Sequence, residues 1–131
     1  MSANIETVER VFEALGRRDM EAALRECDPD VEFMSLIGQL DGRTYRGHDA
    51  VRGFGDELTE AWDVWVPMAE RFEEEGDDVL AIGSSKVRGR GSGLEIEIEW
   101  GTVMRLREGR VFQARMYPSA AEARAAFQAL E

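Results

Sequence analysis

An α+β fold, with helices packed on one face of a curved antiparallel sheet, is what this sequence predicts. The first observation behind that expectation is the stretch from Gly93 to Pro118, where two alternating runs flank a tight turn. From Leu94 to Leu106 every even position is large or apolar except Thr102, while odd positions carry Glu95, Glu97, Glu99, Arg105 and Arg107. One face of that strand is therefore buried and the other largely wet. The second observation is a set of apolar residues at helical spacing in four other segments. The third is a hairpin in which charge and hydrophobicity agree. A two-residue loop at Gly91 and Ser92 sets Arg88 opposite Glu95 and Lys86 opposite Glu97 outside, with Val87 opposite Ile96 and Ser85 opposite Ile98 inside. Function is expected on the buried face, and that face is mostly hydrocarbon, which suits a pocket better than a reaction centre.

In chain order, Ile5, Val8, Val11, Phe12 and Leu15 mark one helix face, with Asn4 as cap and Gly16 as stop. Asp19 can cap a short second helix through Met20, Ala23, Leu24 and Cys27, which ends before Asp28-Pro29-Asp30 because the residue before proline leaves the helical region. A strand follows over Val31–Ser35, with Val31, Phe33 and Ser35 on one face. Residues 37–47 are rich in turn formers and read as a loop. Val51, Phe54, Leu58, Ala61 and Trp62 then mark a third helix; Gly53 and Gly55 within it point either to close packing or to an imperfect helix. Strands over Val64–Glu74 and Val79–Arg90 flank the turn at Glu75-Gly76-Asp77-Asp78. After the long strand, Arg107-Glu108-Gly109 offers two registers. A two-residue loop turns Gln113 and Arg115 inward, whereas a three-residue loop turns Phe112, Ala114 and Met116 inward and avoids burying an unpaired arginine, so the second is favoured. Ser119 and Glu122 have capping-box spacing and open a closing helix that packs through Ala123, Phe127 and Leu130.

At 131 residues the chain fits a single domain, residues 1–131. Sixteen basic against 27 acidic residues give a net charge of -11, which repels phosphate backbones and anionic lipid. Nucleic acid and membrane surfaces are thus not expected as partners, and the Lys86, Arg88, Arg90 cluster serves as cross-strand partners of glutamates. The single cysteine, Cys27, excludes an intramolecular disulfide and a multi-cysteine metal site and reads as a core thiol. No apolar run approaches a membrane span and no signal peptide is evident at the start, so a cytoplasmic location is expected.

The segments Val8-Glu9-Arg10-Val11-Phe12-Glu13-Ala14-Leu15, Arg18-Asp19, Asp28-Pro29-Asp30-Val31-Glu32-Phe33, Tyr45-Arg46-Gly47-His48 and Arg107-Glu108-Gly109-Arg110-Val111 resemble the SnoaL-like branch of the nuclear transport factor 2-like, or ketosteroid isomerase-like, superfamily. The resemblance spans nearly the whole chain. It implies a conical α+β barrel of the cystatin-like type, in which the sheet wraps a long helix around an apolar cavity, and a homodimer through the outer sheet face. It leaves function open, since this fold hosts isomerases, cyclases, hydrolases, dehydratases and non-catalytic binders. Carried over residue by residue, it implies that the isomerase base falls on Phe33 and the two oxyanion donors on Val11 and Thr102; the cyclase acid/base aspartate also falls on Thr102. Isomerase or cyclase chemistry of the known type has no general base here.

Two classes of function stay open: a binder of a small hydrophobic ligand, and an enzyme of the polyketide cyclase-like or epoxide hydrolase-like type that takes its acid/base from His48 or Asp41. The expected ligand-binding wall is Phe33, Ser35, Phe54, Leu58, Trp62, Trp100, Thr102, Met104, Phe112 and Met116, and each of these equally suits plain core. Thr102 is the polar exception on the long strand, able to hold a ligand carbonyl or to bond neighbouring backbone. His48 beside Gly47 is either an acid/base group at the cavity mouth or a solvent-exposed turn residue. Asp41 and Tyr45 lie in a stretch that can lid the cavity, or Asp41-Gly42 is simply a turn. Glu95, Glu97 and Glu99 are spread over about 13 Å of wet strand and predict no metal site. No cofactor is expected. The outer-face residues Leu80, Ile82, Val103, Val111 and Tyr117 form an apolar strip that a second copy of the chain would cover.

Overall fold

A computed structural model describes residues 2–35 and 44–130. The elements are α1 (Ala3–Gly16), α2 (Met20–Arg25), β1 (Cys27–Ser35), β2 (Thr44–Arg46), α3 (Gly47–Ala61), β3 (Trp62–Glu75), β4 (Asp78–Gly89), β5 (Glu95–Arg107), β6 (Arg110–Tyr117) and α4 (Ala120–Gln128). The expected α+β fold, a curved sheet with helices, is present. Its strand order is β2-β1-β6-β5-β4-β3, and among these pairs β1 with β6 is parallel while the others are antiparallel.

Local chemistry explains where the helices begin. Ser2 rather than Asn4 caps α1, its Oγ accepting from the Ile5 amide at 3.1 Å. Asp19 caps α2 as expected, accepting from the Ala22 amide at 3.1 Å. α2 stops at Arg25, so Cys27 opens β1 instead of closing a helix. Pro29 has no N–H to give, and the β1–β6 ladder is interrupted between Cys27 and Glu32. Thr44–Arg46, in the stretch read as loop, adds a short antiparallel strand against Glu32–Met34. Gly47 turns from that strand into α3 with φ +83, a conformation that disfavours a side chain. α3 runs unbroken through both internal glycines, and a Cβ on Gly55 would stand 2.7 Å from Met20 Cε, so close packing accounts for that position.

The β4–β5 hairpin has the register that charge and hydrophobicity predict: Lys86 faces Glu97, Arg88 faces Glu95, Val87 faces Ile96 and Ser85 faces Ile98. The β5–β6 hairpin corrects the favoured reading. Arg107 pairs with Arg110 across a two-residue loop in which Glu108 (φ 53) and Gly109 (φ 78) are both left-handed, the geometry whose twist suits a hairpin. A register shift between Arg105 and Leu106 then absorbs one residue. Ala114 and Met116 still face inward, as does Val111, but Phe112 does not: it lies on the other face under the guanidinium groups of Arg105 and Arg107, at 5.7 and 4.7 Å. The bulge leaves Arg115 exposed, removing the burial penalty that had argued against a short loop.

The helices do not all share one face. α1, α2 and α3 pack inside the curve, where Val8, Phe12, Val79, Ala81, Trp100 and Met104 form the larger core cluster. α4 crosses the outside, and its Ala123 and Phe127 bury Leu80, Ile82 and Val103 in a second cluster. The outer strip read as a face for a second copy is therefore covered by the chain's own last helix, and Val111 belongs to the inner core. Ser119 caps α4 as its spacing from Glu122 predicts, its Oγ accepting from the Glu122 amide at 3.1 Å and donating to the Glu122 carboxylate at 3.1 Å. Glu99 also accepts from the Ala120 amide at 3.2 Å, tying the start of α4 to β5.

Candidate functional site

Inside the curve the side chains do not close the space between sheet and helices. A cavity of about 400 Å³ remains, floored by β1, β3, β4, β5 and β6 and roofed by α1, α2 and α3. Strand alternation aims Ile98, Trp100, Thr102 and Met104 into it from β5, and Ala114 and Met116 from β6. Phe54 and Leu58 reach it from one face of α3, where they stand four residues apart. Of the residues expected to form a ligand-binding wall, Phe33, Ser35, Phe54, Leu58, Trp62, Trp100, Thr102, Met104 and Met116 border this cavity, Trp62 as the first residue of β3 and not from the helix. Phe112 is the exception, for the bulge described above.

The wall is built by aromatic contact. Phe12 stacks on Trp100 with ring centroids 5.0 Å apart, and Trp100 Nε1 donates to Ser85 Oγ at 2.9 Å, so the largest fully buried side chain is fixed at one face and at its polar edge. Phe33 meets Phe54 edge-on at 4.9 Å, and Tyr45, buried on β2, packs against Phe54 at 5.0 Å. Tyr45 thus supports the wall from behind, its hydroxyl 3.3 Å from Glu57.

Charge is nearly absent from this space. Among the described residues lining it, Cys27 is the single ionisable side chain. Burial, ahead of the neighbouring Glu26 and Asp28 charges, pushes its thiol up to about 12, and Sγ lies 3.4 Å from the Ala23 carbonyl, so it is a protonated core thiol and no nucleophile at neutral pH. Val11, Phe33 and Thr102 all face the cavity with no carboxylate among them. His48 does not line it; its Nε2 lies 3.4 Å from the Cys27 carbonyl. Asp41 lies outside the described residues. No group of three metal-ligating side chains occurs among the described residues, and none of their helices is long and apolar enough to cross a membrane.

Two polar atoms in the wall are buried without a hydrogen-bond partner among the described residues: Thr102 Oγ1 and Trp65 Nε1. Thr102 was legible as the polar break in the β5 alternation. Trp65 was not singled out, though its inward phase on β3, shared with Pro67, is the same kind of signal. Trp65 also walls a second, polar cavity of about 190 Å³, bounded by Arg18, Glu21, Arg52, Asp56 and Thr59. There Arg52 holds Glu21 through paired hydrogen bonds of 2.6 and 2.9 Å and reaches Asp49 at 2.6 Å. The Arg52 bond holds the Glu21 carboxyl below the usual carboxylate range.

Comparison with known proteins agrees with this architecture. An NTF2-like protein of unknown function from Burkholderia pseudomallei K96243 is 27% identical, with 93% of this chain and 95% of that one covered and a TM-score of 0.83. TerC, co-crystallised with polyporic acid, is 23% identical over 98% of both chains, with a TM-score of 0.82. A protein with a ketosteroid isomerase-like fold from Catenulispora acidiphila DSM 44928, in complex with trimethylamine, is 16% identical, covers 92% of this chain and 90% of its own, and has a TM-score of 0.78. No curated protein matches. The sequence pattern of the SnoaL-like domain matches residues 8–114, well over half of the chain, and the protein that carries this apolar cavity therefore belongs to the SnoaL-like domain family.

Proposed function

We propose that the domain binds a small hydrophobic ligand of two or three rings in the cavity, held mainly by apolar contact and oriented by the Thr102 hydroxyl. The observation that carries this reading is a space of about 400 Å³ whose described lining is hydrocarbon and aromatic, with a protonated thiol as its single ionisable group. That volume lies within the range of small-molecule sites, and an apolar wall with a few placed polar groups is their usual composition. General acid/base chemistry needs a group that gains or loses a proton near neutral pH within reach of the substrate, and among the described wall residues the one titratable group, the Cys27 thiol, stays protonated there. A relative of the same fold co-crystallised with polyporic acid is consistent with a ring-bearing ligand.

All three tryptophans, Trp62, Trp65 and Trp100, line the cavity, so intrinsic fluorescence reports on its occupancy. Fluorene and 9-fluorenone share a flat three-ring frame and differ by one carbonyl. Both are expected to quench this fluorescence saturably. Thr102→Val should weaken 9-fluorenone by about 0.5 to 1.5 kcal/mol and leave fluorene nearly unchanged. Absence of saturable quenching by either compound overturns the reading.

A further inference from the structure

Resting on that reading, we infer that Trp65 is a second polar anchor, and that the ligand is an elongated molecule with an oxygen at each end. One oxygen is met by Thr102 and the other, a hydrogen-bond acceptor, by the Trp65 indole N–H. Trp65 is 9% exposed and its Nε1 has no partner among the described residues. An indole nitrogen only donates, so what satisfies it must be an acceptor. A buried donor left unmet is destabilising, and such groups in folded proteins are nearly always paired.

Sheet register places the two anchors far apart. Trp65 pairs with Val87, and Val87 pairs with Ile96, six residues before Thr102 on β5. Six residues of strand span about 20 Å, so the two backbone positions lie near opposite ends of the cavity, and the reach of the side chains leaves a gap suited to two linked rings. The Trp65 end is also the polar end, because this residue forms part of both cavities. Arg18 sharpens it: its guanidinium sits 5.6 Å from the Trp65 ring centroid and is held there by a 2.8 Å bond to the Asp63 carbonyl. A cation over the ring face draws electron density from the indole and strengthens its N–H as a donor. Arg18 and Arg52 are matched at this wall by Glu21 and Asp56, so the local charge is balanced and a neutral oxygen, a phenol or a ketone, suits it better than a second anion.

The test uses trans-stilbene, 4-hydroxystilbene and 4,4′-dihydroxystilbene, with affinities by calorimetry on the whole protein. For the native protein each added hydroxyl should tighten binding by about 3- to 10-fold. Trp65→Phe keeps the ring and removes the donor; it should abolish the gain of the second hydroxyl while leaving that of the first, and because the monohydroxy compound can turn end for end to meet whichever anchor remains, Thr102→Val should do the same. An unchanged ratio between the dihydroxy and monohydroxy compounds in Trp65→Phe overturns the inference and leaves the binder reading standing. If none of the three binds the native protein, both fall. A measurement independent of any variant is the Trp65 indole ¹H–¹⁵N resonance of the native protein, which should move downfield with the dihydroxy compound and not with stilbene; no such difference also overturns the inference.

Discussion

Cys27 shows how a residue's setting decides its chemistry. Its folded-state pKa is raised from an ordinary 9.0 to about 12, so any stability linked to it is fully present below 9 and declines as pH rises toward 12. At pH 8 we predict that a chromogenic disulfide reagent labels the native protein far more slowly than the protein in guanidinium, where the thiol regains its ordinary acidity; equal rates would mean that the thiol is not buried. Thr102 was legible from sequence because one hydroxyl interrupts a run of hydrocarbon, and Phe33 and Met104 because alternation fixes their phase. Phe112 was misplaced because a bulge shifts that phase by one residue, and the bulge leaves no mark in a run, Phe112-Gln113-Ala114-Arg115-Met116, that alternates apolar and polar without a break. Trp65 was passed over for the opposite reason: nothing in a tryptophan on an inward phase tells whether its nitrogen is partnered.

At the scale of elements, α4 is held by packing that tolerates no extra atom. Gly101 on β5 lies beneath it, and a Cβ there would run into the Ala123 methyl and stand 3.2 Å from the Ser119 carbonyl. Gly101→Ala should therefore destabilise the protein by about 1 to 3 kcal/mol, read as a lower urea midpoint, as expected for overpacking. A midpoint unchanged from the native protein would show that α4 moves aside freely. The helix itself was legible, down to its Ser119 cap, because caps are local chemistry. Its side of the sheet was not, since an apolar strip on Leu80, Ile82 and Val103 demands a cover without saying whether that cover is another copy or the chain's own end. β2 was missed because three residues between turn formers are too short to show alternation.

For the molecule as a whole, sheet curvature does two things at once. The concave side is too wide for α1, α2 and α3 to fill, which leaves the cavity, while on the convex side α4 covers the apolar patch of Leu80, Ile82 and Val103. The fold class followed from pattern alone because hairpin register, helix spacing and charge pairing all agree; a cavity volume or an unpartnered atom is a property of three-dimensional fit and has no counterpart in spacing. The parallel pairing of β1 with β6 carries a kinetic consequence. β3 to β6 form a meander whose turns close short loops, whereas β1 must join a strand more than half the chain away, Cys27 beside Val111 and Ser35 beside Met116. Long-range closure is entropically slower than hairpin closure. In pulse-labelled hydrogen exchange during refolding, amides of the β3–β6 ladders are expected to gain protection before those of β1, and simultaneous protection would contradict this order. During synthesis the N-terminal helices and β1 would then wait, without their sheet, until the strand near residue 117 has left the ribosome, so the cavity closes long after its first walls have been made.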